Sequence, residues 1–593
     1  MGGLSGSAAI RSPLLRTVGE AITESGGSIS LIEALLREQQ TMHAPASTAT
    51  AVDRFSRAHR GHDEEGQGGL PAQSKYYRDL IPLDKPRPGQ QYAFEVDLDV
   101  CTGCKACVVA CHSLNGLDGP EVWRTVGLLH GGPAEEPVQQ TVTTSCHHCV
   151  DPSCMSGCPV RAYEKDPVTG IVKHLDDQCI GCQYCTLMCP YDAPKYSAEL
   201  GIVRKCDMCS DRLSASEAPA CVQGCPNEAI RIRVVDQVQS LQASTAGTFL
   251  PGAAAPDHTV PTTVYKTKRA TANLLPADFY SVSPEHAHAP LVILLVLTQL
   301  AAGAYATTFV GKQLLPVPQA GPWALAHAGF SLLLVLVALG ASVFHLGRPR
   351  GAWRVFLGLG TSWMSREAIA FGVFAKLGVL FATSVFAARL APFWGQSLVA
   401  TARPILEAST AALGLLGVFC SVMIYVVTRR THWRWSLTAT KFLGTTALLG
   451  AATVLAVSQL SGTLLPADLR APVLGPLSHT LLLVIVAVAS VKLAFELLQL
   501  RHYRDTQHTV AKRVAIVMLR DLHGATLARF ICGALGGLLL PLIALANEPP
   551  AGTSPAIIGI TLAMLGLLVA GEFCERYLFF KTAPPSRMPG ALS

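Results

Sequence analysis

Sixteen of the chain's 19 cysteines lie within residues 101–225, in four groups of four. The first group has the spacing C-x2-C-x2-C-x3-C, and the third group repeats it without deviation. The second is C-x2-C-x4-C-x3-C and the fourth is C-x2-C-x11-C-x3-C, with Pro after the last cysteine of every group but the first. The sixteen are Cys101, Cys104, Cys107, Cys111, Cys146, Cys149, Cys154, Cys158, Cys179, Cys182, Cys185, Cys189, Cys206, Cys209, Cys221 and Cys225. This density of thiols predicts metal ligation, because a disulfide framework does not repeat in fours.

The kind of metal follows from the spacing of the first and third groups. The spacing C-x2-C-x2-C-x3-C is that of bacterial ferredoxins. In those proteins three thiolates bind one iron–sulfur cluster and the fourth binds a neighbouring cluster. Sixteen ligands at four per cluster predict four [4Fe–4S] clusters. A zinc knuckle is the alternative for the fourth group, since paired C-x2-C units often bind zinc. The C-x-x-C-H motif of haem attachment does not occur in the sequence.

Composition divides the chain. Residues 1–285 are polar and rich in Gly and Pro, whereas apolar runs dominate from Pro290 to about residue 580. We predict an N-terminal arm (1–90), an iron–sulfur domain (91–235), a tether (236–288), a membrane anchor (289–580) and a tail (581–593). The predicted fold is an α+β tandem ferredoxin-like domain fused to an all-α eight-helix transmembrane anchor. The net charge of +6 is mild, so no nucleic-acid partner is expected.

Eight apolar runs in the second half are each close to the ~20 residues that cross a bilayer. Their approximate limits are 290–310, 322–346, 367–388, 405–427, 437–460, 477–498, 530–547 and 555–575. Seven spans with a re-entrant run at 530–547 is the alternative.

The distribution of Lys and Arg predicts the orientation. The loops after spans two, four and six, together with the tail, hold sixteen, and the other loops hold four. The positive-inside rule therefore places the iron–sulfur domain on the cytoplasmic side of a bacterial inner membrane. No cleavable export signal is expected, because the N-terminus lacks a basic region followed by an apolar stretch. Basic loops that instead contact a docked domain or anionic lipid are the alternative.

Ionisable residues in or near the membrane are candidate functional sites. His345 ends the second span and Glu367 begins the third, both on the iron–sulfur side. Their alternative roles are an interfacial histidine and a first-turn glutamate that suits the helix dipole. Lys492 and Glu496, four residues apart, are predicted to pair with each other.

The remaining histidines and cysteines of the membrane half carry weaker predictions. His327 and His479 are the histidines well placed within spans, and no haem is expected. Cys420, Cys532 and Cys574 are predicted to be apolar packing residues.

The order of the cysteine groups resembles the four-cluster electron-transfer subunits of the DMSO reductase family of molybdoenzymes. In that family groups one and four pair, as do groups two and three. The resemblance implies four ligand sets: Cys101, Cys104, Cys107 and Cys225; Cys206, Cys209, Cys221 and Cys111; Cys146, Cys149, Cys154 and Cys189; and Cys179, Cys182, Cys185 and Cys158.

The sequence HLGRP at 345–349, followed by a Ser-Arg-Glu helix start, resembles the membrane anchor subunits of DMSO reductase and of related sulfite-oxidising complexes. This resemblance implies that His345 and Glu367 form a quinone site, for menaquinol or ubiquinone. A histidine and a carboxylate suit quinol oxidation because they can accept its two protons. His288 and Arg348 are further candidates for orienting a quinone head.

The chain has no large domain for a molybdopterin cofactor, so the resemblance implies a separate catalytic subunit. We predict an electron-transfer and quinone-reacting membrane subunit, with membrane lipid and quinone as its other partners. The first alternative is a cytoplasm-facing sulfite-oxidising complex, since the DMSO reductase type has its catalytic side exported. The second is a subunit of a redox-driven ion translocator, which predicts several buried acids along the spans. The sequence indicates few beyond Glu496 and Glu572, which argues against this alternative. A cluster scaffold or redox sensor is the third.

Overall fold

The computed structural model describes residues 72–247, 249–269, 273–287, 289–314, 322–344, 346–390, 396–465, 467–547, 553–584 and 587–590. An N-terminal α+β half precedes a C-terminal helical half, which confirms the predicted fold class. Most of the predicted N-terminal arm lies outside the described residues.

Four small sheets supply the β-structure of the first half. The strands are β1 (Gln90–Asp97), β2 (Thr125–Gly131), β3 (Val138–Thr144), β4 (Tyr163–Lys165), β5 (Val172–His174), β6 (Lys195–Ser197), β7 (Ile202–Arg204), β8 (Ile230–Asp236), β9 (Val264–Lys266) and β10 (Leu275–Pro276). β1 pairs antiparallel with β8, so the two ends of the predicted iron–sulfur domain lie side by side. The pairs β2–β3, β4–β5 and β6–β7 are antiparallel hairpins.

The predicted tether is in part a structural element of the iron–sulfur domain. β9 pairs in parallel with β1, and β10 pairs antiparallel with β2. Both strands therefore cover sheet edges whose backbone groups would otherwise lack partners. Their short length explains why composition alone indicates a linker here.

Short helices carry or follow the cysteines. They are α1 (Ala106–Leu114), α2 (Ser153–Gly157), α3 (Tyr184–Met188), α4 (Ser210–Ser214) and α5 (Ala220–Gln223), and α6 (Gln237–Thr245) leads into the tether. Two small apolar cores form around the thiols, one beneath β1 and β8 and the other beside β4–β7.

Eight helices among the described residues are long and apolar enough to cross a membrane, as predicted. Seven of them are Ala289–Leu314, Pro322–Val343, Trp363–Leu390, Gln396–Val426, Trp435–Gly462, Ala467–Leu500 and Pro555–Lys581, which we call the first to sixth and the eighth membrane helices. The first and fifth cross so closely that a methyl group on Gly303 would overlap the carbonyl of Thr446. A short helix, Val510–Ile516, precedes the seventh.

The seventh membrane helix runs from His523 to Ala546. It consists of His523–Ala534, a π-helical turn at Leu535–Leu539, and Leu540–Ala546. Pro541 accounts for the irregular turn, because proline removes a backbone donor and crowds the preceding carbonyl. The continuous helix favours a full span over the re-entrant alternative.

Candidate functional site

The first and third cysteine groups form the same turn. Gly103 and Gly181, each directly before the second cysteine of its group, have left-handed backbone with φ of 73° and 67°. The residues directly after that cysteine, Lys105 and Gln183, are left-handed as well, with φ of 62° and 58°. A helix then begins and presents the third cysteine. Glycine suits the first of these positions because a side chain disfavours this conformation.

A second repeat holds the last cysteine of groups two, three and four. Each continues Cys-Pro-x-x-Ala, and the residue before Ala is left-handed at Arg161, Asp192 and Glu228. This turn aims the Ala backbone N–H at the cysteine sulfur. The N–H of Ala162 lies 3.2 Å from Cys158 Sγ, that of Ala229 lies 3.3 Å from Cys225 Sγ, and that of Ala193 bonds Cys189.

The first group lacks this proline and uses a side chain instead. Asn115 Nδ2 lies 3.6 Å from Cys111 Sγ and donates to the Cys111 carbonyl at 2.7 Å. Asn115 is four residues after the cysteine, the same offset as the alanines. Hydrogen bonds to the sulfur are among the factors that set cluster potential, so all four terminal cysteines have a comparable donor.

Several thiols of the same predicted set are neighbours in the structure. One cavity is lined by all four cysteines of a single set, Cys146, Cys149, Cys154 and Cys189. In the set of Cys158, Cys179, Cys182 and Cys185, Cys185 has the other three thiols as neighbours, and Cys182 has Cys158 and Cys179.

The two remaining predicted sets combine cysteines of groups one and four. Cys111 has Cys221 and Cys209 as neighbours, and Cys206 has Cys111 and Cys221. Cys107 has Cys225 as a neighbour, although Cys221 also lies near it. In this last set Cys104 is exposed.

Burial governs the protonation of these thiols when no metal is bound. Desolvation first, and then the neighbouring thiolates, raise the pKa of Cys111 to about 12 and that of Cys189 to about 11. The four soft donors on the cavity of Cys146, Cys149, Cys154 and Cys189 match what a [4Fe–4S] cluster requires, and bound cationic iron would lower the high pKa of the free thiols.

The iron–sulfur half rests on the loop between the second and third membrane helices. Arg348 donates its backbone N–H to the Ile180 carbonyl at 3.0 Å, and its guanidinium donates to the carbonyls of Leu200 and Asp176. Arg354 also donates to the Asp177 carbonyl, at 2.5 Å. All four acceptors flank the set that contains Cys179. Arg348 therefore holds the two halves together, and a role for it in orienting a quinone stays a prediction.

Glu367 also lies where the two halves meet, in the first turns of the third membrane helix. Its side chain is buried and accepts a hydrogen bond from Ser421 of the fourth helix. On the same helix start, Ser362 and Ser365 donate to the carbonyls of Gly157 and Pro159, which flank Cys158. The predicted carboxylate thus lies beside one predicted cluster site.

Tyr184, which sequence reasoning missed, lies between that cluster site and Glu367. It is buried within α3, and its hydroxyl donates to the Ile424 carbonyl of the fourth membrane helix at 3.0 Å. Burial first, and then the charges of Glu367 and Cys182, raise the pKa of the Tyr184 phenol. His345 and His288, the other predicted quinone-site residues, lie outside the described residues.

The predicted Lys492–Glu496 pair is wrong. Lys492 Nζ lies 2.6 Å from Glu572 of the eighth helix. Glu496 accepts two hydrogen bonds from Arg529, one from Nη2 at 2.7 Å and one from Nε at 2.8 Å. The i, i+4 spacing brings two side chains to one face, but it does not exclude partners on neighbouring helices.

The network around these residues is a second feature that the sequence did not reveal. Lys441 lies 3.1 Å from Glu575, and Arg529 also contacts Glu572 at 3.0 Å. Arg576 packs on the ring of Phe442. Two of the sixteen basic residues counted toward orientation, Arg529 and Arg576, are therefore buried within the bundle. Lys312 and Glu407 form another buried pair, at 2.7 Å.

The other histidines and cysteines singled out in the membrane half range from buried to exposed. His327 is buried against Trp323 and contacts the Ser458 hydroxyl at 3.0 Å, whereas His479 is exposed on its helix. Cys420 is buried, and Cys532 and Cys574 are half-buried.

Each half matches a known family. Residues 138–235 match the model of the 4Fe-4S dicluster domain, and residues 285–581 match that of the DMSO reductase anchor subunit (DmsC). The two matches confirm the predicted fusion of an iron–sulfur unit with an anchor.

Individual relatives align with the iron–sulfur half. The probable anaerobic dimethyl sulfoxide reductase chain YnfG of Escherichia coli (strain K12) is 38% identical over 165 residues, which are 26% of this chain and 80% of that protein. A chain of the anaerobic dimethyl sulfoxide reductase of Haemophilus influenzae is 34% identical over 166 residues, 26% of this chain and 80% of its own length. The thiosulfate reductase electron transfer subunit PhsB of Salmonella typhi is 38% identical over 152 residues, 25% and 78% respectively.

Proposed function

The chain belongs to the DMSO reductase anchor subunit (DmsC) family, and on that premise we propose that it is the electron-transfer and quinone-reacting part of a molybdoenzyme complex. Electrons pass between a membrane quinone and a separate molybdopterin-containing subunit. The four cysteine sets would hold four [4Fe–4S] clusters, which would supply one-electron transfer between the two sites.

The contact between the helix start that bears Glu367 and the backbone beside Cys158 is the observation that carries this proposal. The helix start that bears Glu367 donates hydrogen bonds to the backbone on both sides of Cys158. Tyr184 bridges from the loop of Cys182 and Cys185 to the fourth membrane helix. A quinone at Glu367 would therefore react beside the set of Cys158, Cys179, Cys182 and Cys185.

Neighbouring thiols indicate the order of the sets. Cys206 has Cys146 as a neighbour, which supports an order in which its set is adjacent to the cavity of Cys146, Cys149, Cys154 and Cys189. Cys107 has both Cys221 and Cys225 as neighbours, so the set of Cys101 follows. Because Cys104 of that last set is exposed, we assign this end of the domain to the catalytic partner.

Glu367 and His345 supply proton transfer in this proposal. Quinol oxidation releases two protons with two electrons, and a buried carboxylate can accept one of them. Ser421 orients the carboxylate through its hydrogen bond. His345, at the end of the second span, is assigned the second proton.

A cytoplasm-facing sulfite-oxidising complex is the second candidate, and the distribution of charge favours it. Without the buried Arg529, Arg576 and Lys312, the loops on the iron–sulfur side still hold fourteen Lys and Arg against three on the other side. This asymmetry supports a cytoplasmic iron–sulfur side. Arg348 and Arg354 also bind carbonyls of the iron–sulfur half, as the alternative of basic docking loops predicts. Electrons would then run from substrate to quinone.

Purification from native membranes in mild detergent tests the proposal. We expect a co-purifying catalytic chain that contains molybdenum or tungsten, together with about sixteen iron atoms per copy of this chain. Addition of a quinol analogue or of the partner's substrate should reduce the clusters, and the effective donor fixes the direction of electron flow. A complex that contains neither metal would overturn the proposal.

A further inference from the structure

Two cations are buried inside the iron–sulfur half without a carboxylate partner. Arg124 is 1% exposed and Lys205 is 2% exposed. In the part of the chain that the structure describes, neither side chain forms an ion pair with Asp or Glu. A buried charge without a counter-charge costs several kcal/mol, so each requires a source of negative charge nearby.

Arg124 lies beside the cysteines of groups one and four. Its guanidinium donates to the hydroxyls of Thr143 and Ser145 at 3.3 and 2.9 Å, and it packs on the ring of Phe94. The Thr143 hydroxyl in turn lies 3.5 Å from Cys107 Sγ. One hydroxyl thus connects the cation to a predicted cluster ligand.

The charges around Arg124 come from thiols. Burial acts to lower the pKa of Arg124, but the thiolates of Cys221, Cys107 and Cys206 raise it above its usual value. These thiols belong to the two cysteine sets nearest the exposed end of the domain. Arg124 therefore lies where it can act on both.

Lys205 is the second buried cation, and it lies one cysteine set closer to the membrane half than Arg124 does. It lines the cavity of Cys146, Cys149, Cys154 and Cys189, and it directly precedes Cys206 in the chain. Its ammonium donates to the carbonyls of Cys206, at 2.9 Å, and Val172. These bonds fix the cation between two cysteine sets.

We propose that Arg124 and Lys205 set the reduction potentials of the clusters between which they lie. This inference rests on the proposed electron-transfer function. Each cluster gains one negative charge on reduction, and a buried fixed cation stabilises that state more strongly than it would in water. Both cations therefore raise the potentials of the neighbouring clusters and favour their reduced states.

Substitution of Arg124 by Gln and by Lys tests the first half of the proposal. The purified complex is titrated with redox mediators and followed by electron paramagnetic resonance, and its iron and sulfide contents are measured. For Arg124→Gln we expect at least a tenfold lower reduced-to-oxidised ratio at fixed potential for the clusters of groups one and four, which is about 59 mV for one electron. Arg124→Lys, which keeps the charge, should retain most of the ratio.

Lys205→Met and Lys205→Arg form an independent pair, which decides the question if Arg124→Gln does not retain its clusters. Lys205→Met should lower the potential of the cluster in the Cys146 cavity, and Lys205→Arg should not. Unchanged potentials in cluster-replete neutral variants would overturn the proposal, as would equal shifts in the neutral and charge-conserving variants.

Glu367→Gln separates this inference from the proposed function. The titration uses chemical mediators and needs neither quinol nor substrate. Glu367→Gln is expected to leave the potentials of the clusters next to Arg124 and Lys205 unchanged while it impairs quinol oxidation. If the quinone-site proposal is wrong, Glu367→Gln retains quinol oxidation. If the cation proposal is wrong, the neutral variants of Arg124 and Lys205 retain the cluster potentials.

Discussion

Gly347 of the membrane half packs directly against the carbonyl of Gly201 in the iron–sulfur half. A methyl group added to Gly347 would overlap that carbonyl, and one added to Gly181 would come within 2.9 Å of the Gly347 Cα. Three glycines thus allow the two backbones to meet without intervening side chains. The Arg348 hydrogen bonds lie beside this contact, so the loop that begins with HLGRP docks the iron–sulfur half.

Gly347→Ala should separate the two halves locally without unfolding either. The added methyl group must displace backbone and not a flexible side chain, and such contacts relax poorly. We expect quinol-driven reduction of the clusters to slow by at least about tenfold, since misplaced reacting groups are costly. Gly360→Ala is the matched control, because a methyl group on Gly360 of the same loop meets no atom within 4 Å. Equal rates of cluster reduction in the two variants would refute the role of the contact between Gly347 and Gly201.

Glu367→Gln should slow quinol oxidation by about 10²- to 10⁴-fold, the usual contribution of a general base. Glutamine preserves the shape and the contact with Ser421 but cannot accept a proton. Ser421→Ala, which removes only the orienting hydroxyl, should have a smaller effect. Stopped-flow reduction of the clusters by a quinol analogue measures both. A Gln variant as fast as the unsubstituted protein would exclude Glu367 as the base.

The cysteine spacing was sufficient to predict four ligand groups because each ligand turn is local and needs only a few residues. The division of the sixteen thiols into four sets was implied by the family resemblance and stays a prediction. The spans followed from apolar length in the same way. Arg124, Lys205 and Tyr184 were not predictable, because their partners are distant in sequence and isolated polar residues carry no periodic signal. The Lys492–Glu572 pair was missed for the same reason, since it joins two helices that lie 80 residues apart.

The corrected pairing bears on the ion-translocating alternative. Few buried acids were expected from the sequence, but Glu407 and Glu575 are also buried within the bundle. Each has a cation within 4 Å. The number of buried acids therefore no longer argues against translocation, although their pairing is also what a purely structural network requires.

His432, in the loop between the fourth and fifth membrane helices, should make stability depend on pH. Burial first, and then Lys441, lower its pKa to about 3, and its Nε2 contacts the Thr582 hydroxyl at 3.3 Å. Because the folded pKa lies below the unfolded value of about 6.5, the contribution is complete above pH 6.5 and is lost as pH falls toward 3. At pH 5.5 the loss is about 1.4 kcal/mol.

The comparison of His432→Gln with the unsubstituted protein measures this contribution. The difference between their unfolding midpoints should shrink between pH 7.5 and pH 5.5, because glutamine does not titrate. Circular dichroism in detergent reports the midpoints. A difference that stays constant over this pH range would contradict the assignment to His432.

A double-mutant cycle should detect coupling between Lys492 and Glu572. Removal of one partner of a buried pair typically costs about 3–5 kcal/mol, so Lys492→Met is expected to be strongly destabilising. Lys492→Met combined with Glu572→Gln should cost less than the sum of the single changes. The cycle with Glu496→Gln should show weaker coupling, and Lys376→Met, at an exposed position, is the control. Stronger coupling to Glu496 would restore the pairing first predicted from sequence.

The C-terminal segment 587–590 should stabilise the docked iron–sulfur half. Met588 is 3% exposed in an apolar core of that half, and its sulfur lies 3.4 Å from His147 Nε2. Gly590 accepts a hydrogen bond from the Leu128 backbone at 3.0 Å, which adds a bridge at the edge of β2. Met588→Ala removes a buried side chain and should cost about 2–5 kcal/mol.

Limited proteolysis of the detergent-solubilised protein distinguishes this role from a general loss of stability. Met588→Ala should expose cleavage sites within residues 237–287 while the membrane helices stay protected, because the segment links the two halves at a second point. Met588→Leu, which keeps the apolar volume, is the matched control and should be cleaved at the unsubstituted rate. Equal protection in the Ala and Leu variants would show that the segment contributes nothing to docking.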